Sequence, residues 1–195
     1  VKPLIKIAKE HCTNILKLSR CKWLPFHNVR HTLEVFENVK KIATYEGLSF
    51  EEQEPLLIAS LFQDTGIAKL YMGHEYIGAA NALEFLKMHH YPIEKIEVVI
   101  KCILATQIPQ KPKSMAEKIM CDADLAYLAG PNAYEKSLAL QKEWGLFLGS
   151  RQMDEEWKLQ HLNFFENHYF FSRYGKSVLE ANRIIDITPL EKSAI

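Results

Sequence analysis

Two histidines four residues apart, His27 and His31, open the part of the chain where chemistry can be read. On a helix that spacing sets both on one face, so the rings can meet at one point; two imidazoles on an ordinary amphipathic surface are the plain alternative. Gln63-Asp64 ends the most apolar helical stretch of the sequence, residues 56–62. An acid buried there without a partner costs roughly several kcal/mol, and a carboxylate at a helix C-terminus also meets the negative end of the helix dipole. A nearby cation repairs both faults. Asp122-Ala123-Asp124 follows the apolar Ile119-Met120-Cys121. Residues two apart on a helix point about 200° apart, so one aspartate can face a shared site while the other is exposed or hydrogen-bonded. His74-Glu75 starts a further helical stretch, where an acid in the first turn is stabilising in its own right.

Helical periodicity must position these groups. Phe26, Val29, Leu33, Phe36, Val39 and Ala43 recur every three or four residues and predict a helix over 26–46. Gly47 closes it, and Ser49 with Glu52 forms a capping box for the next, central helix, which Gly66 stops. Further helices are expected over 74–89, from Pro92 through Leu104, over 114–129, and at about 132–148, 153–172 and 174–186; the two prolines in 108–113 mark a loop. Strand signals are absent. The expectation is one all-α domain, with a motif core at about 20–130 and C-terminal helices at about 132–190.

Composition narrows the function. The 195 residues carry 24 Lys+Arg against 24 Asp+Glu, so no basic excess exists to neutralise a phosphate backbone, and nonspecific nucleic-acid binding is not expected. Hydrophobic residues at 48% exclude a disordered chain. No apolar run is long enough to span a membrane. Val1-Lys2-Pro3 has neither a signal-peptide pattern nor an initiator Met, as expected of a trimmed piece. Cys12, Cys21, Cys102 and Cys121 contain no C-x-x-C pair and read as reduced, buried thiols, which points to the cytoplasm. The aromatic band around His161 and His168 (Trp157, Phe164, Phe165, Tyr169, Phe170 and Phe171) reads as core or as a homo-oligomer contact. His89-His90, at a helix end, complements the dipole.

Four motifs in order, Phe26-His27-Asn28-Val29-Arg30-His31-Thr32, Ala59-Ser60-Leu61-Phe62-Gln63-Asp64-Thr65-Gly66, Gly73-His74-Glu75 and Asp122-Ala123-Asp124-Leu125, resemble the HD-domain superfamily of all-helical metal-dependent phosphohydrolases. Within it the chain is similar to the predicted metal-dependent HD phosphohydrolases and to cyclase-associated HD domains; Glu143-Trp144 and the aromatic C-terminal helices share that likeness. The resemblance implies His31, residue 63, Asp64 and Asp124 as ligands of a divalent metal ion (Mn, Mg, Fe, Ni or Zn), with Asp122 as the fallback for Asp124. It implies His27 or His74 as the proton donor to a leaving oxygen, His74 and Glu75 lining the same pocket as a second metal site or as substrate contacts, and Thr106 as a contact to a nucleotide or other small phosphorylated ligand. Lys69, five residues after Asp64 but off the family's motif spacing, is a candidate phosphate contact by proximity alone. Arg30 reads as an ordinary surface residue.

The sequence departs from that pattern at its defining position, because Gln63 replaces the histidine of the His-Asp pair. A carboxamide is a weak ligand where an imidazole is a good one. Two functions follow as expectations: a metal-dependent phosphohydrolase with weakened metal binding, or a degenerate HD domain that binds a nucleotide or partner as a regulatory module.

Overall fold

The computed structural model describes residues 3–148, 163–164 and 167–183. Among these residues there are helices and turns but no strand, in agreement with the all-α reading. Helix α1 (Pro3–Lys17) buries Ile5, Ala8, Cys12 and Leu16 on one face, and a 3-10 turn at Arg20–Trp23 follows. Helix α2 (Val29–Tyr45) starts later than the apolar stripe suggests. Asn28, in extended conformation, caps it by accepting the N–H groups of Arg30 and His31. At its other end Gly47 takes φ +83°, and Leu48 N–H returns to Ala43 O.

The capping box of Ser49 and Glu52 opens α3 (Phe50–Phe62), and every residue from Gln53 to Phe62 is buried. This helix is the centre of the fold, packed on by α1, α2, α5 and α6. It ends at Phe62, and Gln63–Ala68 winds on as a 3-10 turn that packs against α4 (His74–Met88). Two glycines permit that approach. A Cβ on Gly66 would lie 2.0 Å from His74 O, and one on Gly78 would lie 2.7 Å from the carbonyl oxygens of both Phe62 and Gln63. Helix α5 (Ile93–Ala105) follows Pro92, and the 108–113 loop leads to α6 (Met115–Leu125). The helix expected over 114–129 breaks at Leu125 into a 3-10 turn, Ala126–Ala129, before α7 (Ala133–Leu148).

Most of the helix expected over 153–172 lies outside the described residues, as do His161, Trp157 and Phe165. Residues 168–171 are not helical, and a π-turn at Gly175–Leu179 continues into Glu180–Asn182. This segment is tied down by carboxylates: Glu46 accepts from Tyr174 N–H at 2.8 Å and pairs with Arg173 at 2.9 Å. Phe170 and His168 are buried while Tyr169 is 68% exposed. The imidazole of His168 stacks on Phe164 and stands edge-on to Phe170. All four cysteines are free and buried. No described helix is long and apolar enough to cross a membrane.

Two outcomes test this packing. Gly78→Ala drives a methyl into backbone and should lower stability by roughly 1–3 kcal/mol, read as a drop in the urea midpoint. Gly145→Ala in α7, with nothing within 4 Å of the new Cβ, should be neutral or slightly stabilising. Burial, helped by the Arg183 charge, pushes His168 down from 6.5 to about 4. The unfolded chain therefore takes up this proton first, and stability is lost as pH falls from about 6.5 to about 4. His168→Phe should flatten the unfolding midpoint across that window.

Candidate functional site

The chain brings His31, Gln63, Asp64, His74 and Asp124 to one buried junction where α2, the 3-10 turn, α4 and α6 meet. His31 sits in the first turn of α2 and is 5% exposed. Its Nε2 lies 3.5 Å from Asp64 Oδ2 and 3.4 Å from Asp124 Oδ1, yet makes no hydrogen bond. His74 approaches from the start of α4, with Nε2 3.6 Å from Asp64 Oδ1 and Nδ1 donating to Tyr71 O at 2.7 Å. Gln63 Nε2 donates to Asp124 Oδ1 at 2.9 Å and reaches Asp64 Oδ2 at 3.5 Å, while Gln63 Oε1 is buried without a partner.

Electrostatics follow from this packing. Burial alone would raise the Asp64 carboxyl, but His74, His27 and His31 outweigh it and hold that carboxyl well below the usual carboxylate range. Burial would lower both imidazoles. Asp124 and Asp64 instead raise His31, and Asp64 with Glu75 pushes His74 up to about 9. His74 is therefore an imidazolium at neutral pH.

The junction is the floor of a cavity of about 440 Å³. Phe26, Tyr71, Tyr127, Trp144 and Phe164 supply aromatic wall, and His27, Asp64, His74, Glu75, Thr106 and Asp124 supply polar lining. Among the described residues neither Lys nor Arg lines it. Lys69 is exposed and lies outside the lining, and Arg30 is exposed and paired with Glu34. Thr106 reaches the cavity, but its hydroxyl donates back to Ile103 O at 2.8 Å. Glu75 lines it with Oε2 buried and unpartnered.

The expectation for His27 needs correction. His27 precedes the cap of α2, so it does not share a helix face with His31; the rings still meet, edge to face at 5.6 Å, because the 26–28 turn folds back. Asp122 does not reach the site. Its two oxygens accept the N–H groups of Phe171 and Ser172, each at 2.8 Å, so it is the hydrogen-bonded member of the pair and Asp124 is the inward one.

Among solved structures the chain is similar to the crystal structure of a predicted HD superfamily hydrolase from an uncultured Thermotogales bacterium. The two share 24% identity at a TM-score of 0.56, over 80% of this chain and 88% of that one. The fold is the HD fold. No protein-family model matches the chain, and no curated protein does.

The donor set, as folded, does not fit the metal ion of HD hydrolases. Among the described residues no three His, Cys, Asp or Glu side chains are arranged to hold one. The Gln63 NH₂ group points at both carboxylates, and an amide N–H₂ donates without offering a lone pair. Turned the other way, Gln63 Oε1 would face carboxylate oxygens, acceptor against acceptor. The amide thus bonds together two acids that a cation would otherwise bridge.

One residue at this HD-fold site had no role assigned from sequence. Glu143 of α7 is fully buried, accepts the N–H groups of Phe26 and His27 at 2.9 Å each, and pairs with His27 Nδ1. The available signal was the family likeness of Glu143-Trp144, which gave the pair no role, because spacing does not separate Glu143 from the surface acids beside it.

Asp122→Ala should lower stability by about 1–3 kcal/mol through its two orphaned N–H groups and speed amide exchange at Phe171 and Ser172. Asp124→Ala should leave those two amides protected.

Proposed function

We propose that this HD-fold chain binds a nucleotide or other small phosphorylated ligand as a regulatory module, without a resident metal ion and without metal-dependent turnover. The carrying observation is the Gln63 amide, whose N–H₂ group bonds to Asp124 and reaches towards Asp64. A neutral donor there removes the ligand that the HD pattern requires and offsets the mutual repulsion of the two acids by hydrogen bonding.

The cavity retains what binding needs. Aromatic faces suit a planar ring, and His74, which Asp64 and Glu75 push up, places positive charge beside the cavity with His27 5.9 Å away between ring centroids. Among the described residues neither Lys nor Arg lines the cavity, so recognition of an anion rests on the charge at His74.

A second reading, a phosphohydrolase with a weakened metal site, is favoured by one observation: His31 Nε2 is buried between two carboxylates with no hydrogen-bond partner. Metal analysis separates the two. The purified chain should hold no stoichiometric divalent ion, and a chelator should leave its Tm unchanged. Gln63→His should gain a Tm rise on adding Mn²⁺. Stoichiometric metal in the native chain, with phosphoesterase activity lost in Asp64→Ala, would establish the hydrolase instead. A nucleoside monophosphate at about 100 times its Kd should stabilise the native chain by ~2.7 kcal/mol, a Tm rise of roughly 5–10 °C, with no product formed.

A further inference from the structure

Glu143 is placed where a carboxylate is costly, and three donors surround it. Its Oε2 accepts the backbone N–H groups of Phe26 and His27, both at 2.9 Å, and its Oε1 pairs with the Nδ1 atom of the His27 ring. The contact joins α7 to the turn before α2 across 116 positions of sequence. The two backbone bonds alone would suffice as a tether. The third reaches a ring that forms part of the cavity wall and packs against His31, Tyr71 and His74 at 5.6, 6.0 and 5.9 Å between centroids. Helix α7 also grips the next part of that wall, because Phe147, one turn beyond Glu143, stacks on Tyr71 at 4.1 Å. A carboxylate accepts and does not donate, so the proton of a ring bonded to it resides on the bonded nitrogen.

We propose that Glu143 is a positioning residue that fixes the His27 proton on Nδ1 and so holds this cavity-wall ring in one tautomer. The second nitrogen of the neutral ring is then left as an acceptor. Its usual tautomeric freedom is removed before the ligand arrives. This role goes beyond the binding reading and does not depend on it, since it concerns proton placement on His27 with or without a cation.

Nitrogen-15 NMR of the full chain, labelled at histidine and recorded on the neutral ring, tests the inference, with His27 assigned by the signals lost in His27→Gln. The expected wild-type spectrum shows His27 as the Nδ1–H tautomer. In Glu143→Gln the amide oxygen can keep the two backbone N–H groups while its NH₂ donates to Nδ1, so the tautomer should invert to Nε2–H. A wild-type Nε2–H tautomer overturns the proposal, and so does an Nδ1–H tautomer that persists unchanged in Glu143→Gln, because either result leaves Glu143 as a tether only. Should Glu143→Gln fail to fold, Glu143→Asp keeps an acceptor for the backbone but is one methylene short of the ring. It should then give a mixture of tautomers, and an unchanged pure Nδ1–H signal would overturn the proposal.

Discussion

The carboxylate of Asp64 is the constraint around which the rest of the structure is arranged. It is 3% exposed, at the seam where α3 gives way to a 3-10 turn. A buried anion persists only with partners close by, and the fold supplies two imidazoles and an amide from three different elements. The partners reach it because backbone meets backbone without side chains between. Gly66 lies under His74 and Gly78 under Gln63, so the turn and α4 come together as closely as two chains can.

The Gln63 amide changes how that charge is balanced. A divalent ion would neutralise both acids at once, whereas an amide contributes only hydrogen bonds. Balance then falls on His31 and His74, which the neighbouring acids raise despite burial. The likeness to a predicted HD superfamily hydrolase, at 24% identity, concerns the fold. Chemistry resides in the side chains grafted onto it.

Buried acids recur in this molecule in a second capacity. Glu46, Asp122 and Glu143 each accept backbone N–H groups from a distant segment: Tyr174, Phe171 with Ser172, and Phe26 with His27. Each holds a non-helical or terminal stretch whose amides have no partner within their own element. Asp122 and Asp124 therefore share one helix turn and serve opposite faces of it, one tying down the C-terminal turn and the other facing the cavity.

The amino-acid sequence by itself determined the helical elements. Apolar spacing, the Ser49 and Glu52 capping box, Gly47 and the prolines act within a few residues, so α2 to α5 and the 108–113 loop could be read with errors confined to their ends. It also restricted the inward group to one of Asp122 and Asp124, because a helix cannot aim both at one point. Tertiary structure decided which one, since the deciding partners, Phe171 and Ser172, lie about fifty positions away. It also decided that α2 begins at Val29, capped by Asn28, rather than at Phe26, and that Lys69 stays outside the cavity. Glu143 became part of the site by the same route. Local signals come from bonds between near neighbours in sequence, whereas a buried charge is satisfied by whichever segment the packed core carries to it.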